Sequence, residues 1–108
     1  MSHRIVDVAA FEGRRKPLRR ALESSGFALD QFDADPGVGG FEHDEVESGQ
    51  EDVHVTLRGD GVLRIGEEEV RPAPGRCVLV TPERRRQVVA GDGGLSYLVV
   101  GGLRGTFA

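Results

Sequence analysis

The chain has 108 residues, 38% of them hydrophobic and 30% charged, which predicts one globular domain with a modest core. A net charge of −4 argues against nucleic acid as a partner, and no apolar run approaches the roughly 18 residues a membrane-spanning helix needs. The segment Met1–Asp7 lacks the apolar stretch of a signal peptide, and the single cysteine, Cys77, has no internal partner; both point to a reducing cytoplasm. Thirteen arginines against one lysine suggest a GC-rich bacterial genome.

Taken in chain order, the first predicted element is a helix over Lys16–Ser25. Pro17 suits its first position and Gly26 its C-terminal cap, and Leu18, Ala21 and Leu22 make one apolar stripe. A strand follows at Phe27–Ala34, stopped by Asp35-Pro36-Gly37, with Gly37, Gly39 and Gly40 read as a flexible turn. Further strands are expected at Asp52–Arg58, Gly61–Ile65, Glu69–Arg71, Cys77–Thr81, Arg86–Ala90 and Leu95–Val100. Gly59-Asp60-Gly61, Gly66-Glu67, Pro74-Gly75, Pro82-Glu83 and Gly91-Asp92-Gly93-Gly94 read as the turns between them. No connection is long enough for a crossover helix, so the fold class is all-β and antiparallel, with one short N-terminal helix. Residues 1–26 are expected as an N-terminal segment and 27–108 as a barrel, in a single domain.

Two charge runs stand out. Glu42, Asp44, Glu45, Glu47, Glu51 and Asp52 place six carboxylates in eleven residues with no lysine or arginine among them, and Arg84-Arg85-Arg86 lies downstream. Exposed pairs between such runs contribute only about 0–1 kcal/mol, so solvated surfaces are the expectation for Arg84 and Arg85. The stretch Asp52–Arg58 alternates polar and apolar residues, and this alone would bury Val53, Val55 and Leu57 and leave Asp52, His54, Thr56 and Arg58 in water.

From Asp35 to Gly102 the chain resembles the cupin superfamily, small bacterial cupins in particular, which implies a jelly-roll-like antiparallel β-barrel. His43-Asp44-Glu45 followed by Asp52, seven residues before Gly59, resembles the first cupin motif; Pro74-Gly75 through Thr81-Pro82 to Arg86 resembles the second. The resemblance implies a site drawn from His43, Glu45, Asp52 and Arg86, where relatives commonly have three histidines and a glutamate around a divalent metal. Here Glu45 and Arg86 stand at histidine positions, Asp52 stands at the glutamate, and the Glu45–Asp52 loop is two or three residues longer than usual. His54 occupies a position that is often tyrosine. The resemblance also implies that Asp52, His54 and Thr56 point inward, the opposite of what alternation alone suggests.

Three functional readings follow. In the first, a small-molecule-binding cupin without a strong metal site holds a small anionic ligand on Arg86, whose guanidinium has no acceptor and cannot ligate a metal. Arg86 would pair with Asp52 or Glu45, with the ligand, or with both. In the second, His43, Glu45 and Asp52 hold iron, manganese or another divalent metal for a dioxygenase or isomerase type of reaction. In the third, the barrel is plugged by side chains and serves a structural or interaction role. His54 is the best-placed proton acceptor. Cys77 is expected in the core. With Asp52 inward, Val53, Val55 and Leu57 need cover from the N-terminal segment or a second subunit, so a homodimer is expected.

Overall fold

The computed structural model describes residues Ser2–Phe107. A 3-10 turn at Val8–Ala10 is followed by β1 (Arg15–Lys16), α1 (Leu18–Leu22), β2 (Ala28–Ala34), β3 (Gln50–Ile65), β4 (Glu68–Val70), β5 (Cys77–Val80) and β6 (Arg86–Leu103). All strand pairs are antiparallel, in the order β1-β2-β6-β3-β4, with β5 also on β3.

The helix is shorter than predicted. Pro17 takes the N-cap position rather than the first turn, and Glu23 in left-handed geometry (φ 57°), not Gly26, ends it. Its amide donates to the Arg19 and Arg20 carbonyls. Ser24, Ser25 and Gly26 are poor helix formers and do not extend the run. The segment before Phe27 also contributes to the sheet: Arg15 and Lys16 pair with Phe32 and Gln31. The Lys16 ammonium, buried there, is held by the Gly13 carbonyl at 2.6 Å and the Asp33 carboxylate at 3.0 Å.

The larger correction concerns the strands. Asp52–Arg58 and Gly61–Ile65 are one strand, β3, and Arg86–Ala90 and Leu95–Val100 are one strand, β6; neither glycine cluster between them is a turn. The two long strands run side by side from Gln50↔Leu103 to Ile65↔Arg86, with register irregularities around Leu57 and Asp60. Their first and second halves belong to different faces of the barrel. The Gln50–Gly59 half lies between β5 and the β2-flanked end of β6, and the Gly61–Ile65 half lies between β4 and the start of β6.

Glycine is required at these corners because the two backbones nearly touch. A Cβ on Gly59 would lie 2.2 Å from the Gly94 carbonyl oxygen, and one on Gly61 2.4 Å from that of Val89. The bulges also shift the side-chain phase. Asp52, His54 and Thr56 point inward before the corner and Leu63 and Ile65 after it; on β6, Arg86, Val88 and Ala90 give way to Leu95 and Tyr97. The core is Leu63, Ile65, Val80, Val88, Ala90, Leu95 and Tyr97, contributed by both halves.

Two further expectations are corrected. Gly39 and Gly40 are not a free turn: Gly39 bridges Val89 and the Gly40 amide donates to the Val88 carbonyl at 2.7 Å. Cys77 is exposed rather than in the core, because Val78 and Val80 take the inward positions of β5 and leave Cys77 and Leu79 outside.

Candidate functional site

One end of the barrel holds a cavity of about 380 Å³ lined by all five sequence-selected residues, His43, Glu45, Asp52, His54 and Arg86. β3 supplies Asp52 and His54 as consecutive inward positions, so the inward phase implied by the family resemblance holds and that of simple alternation does not. Arg86 begins β6, and its backbone exchanges two hydrogen bonds with His43: the His43 amide to the Arg86 carbonyl at 3.1 Å, and the Arg86 amide to the His43 carbonyl at 2.8 Å. The Glu45 amide donates to the Pro82 carbonyl at 2.9 Å. The acidic loop is thereby stitched along Pro82–Arg86, and the two sequence motifs become one site.

Arg86 is 1% exposed. Its Nη2 donates to the Thr81 carbonyl at 2.9 Å and the Val80 carbonyl at 3.4 Å, and lies 3.9 Å from Asp52 Oδ2. That last distance is an ion pair without a hydrogen bond. Nε and Nη1 are buried and have no protein partner. Asp52, 5% exposed, has its carboxyl pushed above the usual range by burial; Arg86 and His43 pull it down and Glu45 pushes it further up. His54, 8% exposed, is also without a protein partner at either ring nitrogen. Burial, helped by the Arg86 and His43 charges, lowers its pKa to about 4, so the imidazole is neutral at pH 7.

At the mouth, His43 Nδ1 donates to the Phe41 carbonyl at 3.1 Å, which leaves Nε2 facing Glu45 Oε1 at 3.4 Å. The Ser48 hydroxyl donates to Glu45 Oε2 at 2.9 Å. One donor atom each from His43, Glu45 and Asp52 lies within 4.8 Å of the others. The neighbouring arginines behave differently from Arg86: Arg85 makes a peripheral pair with Glu42 at 3.7 Å, and Arg84 donates to the Ile65 carbonyl at 3.1 Å.

An otherwise apolar pocket around Arg86 is the expectation, but the sequence does not reveal which residues form its apolar half. Phe32 and Tyr97 stack with ring centroids 5.2 Å apart, His54 continues the column at 6.1 Å from Tyr97, and Val88 and Val99 close the wall. The signal was present in the alternation of β2, where Ala28, Asp30, Phe32 and Ala34 share the cavity face. It became useful only once β2 was known to pair with β6 along Ala28↔Gly101 to Ala34↔Leu95.

No family model matches the sequence, and no curated protein matches it. Solved structures do match, and several of them are cupin proteins. A cupin protein from Bacteroides fragilis superposes with a TM-score of 0.88 at 21% identity, covering 100% of this chain and 90% of that one. A cupin 2 conserved barrel domain protein from Salinispora arenicola gives 0.76 at 21% identity, covering 96% and 90%. A sugar phosphate isomerase of the cupin superfamily from Silicibacter pomeroyi gives 0.68 at 22% identity, covering 86% and 66%. The chain therefore has the cupin fold, an antiparallel β-barrel with one short helix. Among the described residues no helix is long and apolar enough to cross a membrane.

Proposed function

We propose that this protein is a small-molecule-binding cupin that takes an anionic ligand on Arg86. The observation that carries this reading is a guanidinium 1% exposed at the cavity wall with Nε and Nη1 unpartnered. Buried donors without partners cost about 1–3 kcal/mol each, more when charged, and a carboxylate or phosphate removes that cost. Asp52 does not meet this need, since it is 3.9 Å from the one nitrogen already satisfied by carbonyls. A cavity of about 380 Å³ suits a small ligand and argues against a barrel plugged by side chains.

The test is Arg86→Met, which keeps volume and removes the charge. Thermal shift against a panel of small acids and their neutral amides should stabilise the wild type with acids only. The variant should lose about 10- to 100-fold in affinity while still folding. Equal stabilisation of both proteins by the same acid would overturn the reading.

The clustering of His43, Glu45 and Asp52 favours a second reading. One imidazole and two carboxylates fit manganese or iron, and His43 is already oriented by Phe41. Such an ion would supply Lewis acidity or redox chemistry at the cavity mouth, and an enzyme of dioxygenase or isomerase type belongs to this reading. Against it stands Arg86, which sets a positive charge beside Asp52. Calorimetric titration of the purified protein with manganese decides it: binding abolished by His43→Ala supports the site, and absence of binding removes it.

A further inference from the structure

Two different kinds of unpartnered polar group share this cavity. Arg86 has only donors to offer. His54, with neither ring nitrogen engaged by protein, needs one acceptor and one donor. They are neighbours: His54 is the next inward position along β3 from Asp52, about 7 Å on by strand geometry, and Asp52 lies against Arg86. A simple anion satisfies the guanidinium and leaves the imidazole orphaned. A hydroxyl group, both donor and acceptor, is the small neutral group whose inventory matches an imidazole's. Next to both sits a wall made by the stacked rings of Phe32 and Tyr97 with Val88 and Val99, a surface that suits an apolar or aromatic body.

We infer that the cavity selects small hydroxycarboxylates with an apolar remainder, the carboxylate on Arg86, the hydroxyl exchanging hydrogen bonds with His54, and the body against Phe32 and Tyr97. This rests on the anion-binding reading of Arg86 and adds to it a second, independent anchor. Selectivity follows from the asymmetry of hydrogen bonding. A ligand lacking the hydroxyl still displaces solvent from the cavity, but leaves His54 with no partner at all, so the loss exceeds that of one ordinary hydrogen bond.

Three probes of nearly equal size separate the two anchors: mandelate carries both groups, phenylacetate lacks the hydroxyl, and mandelamide lacks the charge. Titration calorimetry on the wild-type protein should rank mandelate above phenylacetate by about tenfold, with mandelamide weaker than either. In His54→Phe the advantage of mandelate over phenylacetate should vanish while both still bind; in His54→Gln, which keeps a donor and an acceptor, it should persist in part. Equal affinity of the wild type for mandelate and phenylacetate overturns the His54 inference and leaves the Arg86 reading standing. Mandelamide binding as well as mandelate overturns the Arg86 reading, whereas binding of none of the three at millimolar concentration overturns the hydroxycarboxylate inference and leaves the Arg86 reading to the panel of small acids. Should His54→Phe fail to fold, the wild-type ranking still decides.

Discussion

Arg86 and His54 are the two cavity residues whose environments least resemble those of ordinary buried polar groups, because each keeps buried nitrogens without a protein partner. His54 is held neutral by burial, with its pKa lowered from 6.5 to about 4. The unfolded chain therefore binds a proton that the folded protein refuses between those values. The stability associated with His54 is complete above pH 6.5 and is lost as pH falls toward 4, by about 3 kcal/mol. Asp52 acts in the opposite sense: its raised pKa makes the native state the better proton binder above pH 3.8, so its part of the stability declines as pH rises through that window. Chemical denaturation of the wild type and His54→Gln at pH 7 and pH 4 isolates the histidine. The wild type should lose about 3 kcal/mol more than the variant; equal losses would show that His54 is not held neutral.

At the scale of elements, the fold depends on two bent strands, and this is where sequence and structure part company most usefully. The glycine clusters at 59–61 and 91–94 have the composition of turns, and in isolation nothing distinguishes a turn from a corner. What distinguishes them is pairing: Gly59 meets Leu95 and Gly61 meets Ala90, so the clusters face one another across β3 and β6. The same corners hide the core from a period-two reading, because the inward phase changes from even to odd residues across each of them. The all-β class, the strand at β2 and the cluster of His43, Asp52 and Arg86 were legible, since order and motif spacing survive without knowledge of pairing. The exposure of Cys77, the length of α1 and the aromatic wall were not, because each depends on what a neighbouring strand covers. Gly59→Ala should therefore destabilise the fold by about 1–3 kcal/mol, through both its φ of 89° and the close Gly94 carbonyl. Gly75→Ala is the control: it has a similar φ of 84° but nothing within 4 Å of an added Cβ, so it should cost less. Equal costs would show that conformation alone, not the approach of the two strands, requires glycine at the corner.

For the whole molecule, inward placement of Asp52, His54 and Thr56 has a consequence on the outside. Val53, Val55 and Leu57 face away from the cavity, and the register continues their row across neighbouring strands: Leu79, Val53, Val100 and Leu29 lie in line, as do Cys77, Val55 and Leu98. α1 and the β1 segment pack near β2 and do not cover the β5 side, where Leu79 is 55% exposed and Leu57 41%. We propose that a second copy of this chain covers that face, through an isologous contact in which the row meets itself. Light scattering should give twice the 11.7 kDa chain mass, and Leu79→Glu should return the protein to a monomer with its fold intact. A wild-type monomer at high concentration would refute this.

The cupin fold brings the motif at His43–Asp52 against the one at Arg86 and leaves a cavity between them. In the proposed function Arg86 serves a ligand rather than the carboxylates of its own chain. A crystal structure of the wild-type protein soaked with mandelate tests it most directly. A carboxylate is expected within hydrogen-bond distance, about 3 Å, of Arg86 Nε or Nη1, with Asp52 remaining outside that range. An Arg86 side chain closed onto Asp52 or Glu45 through those nitrogens, with the probe elsewhere or absent, would contradict it.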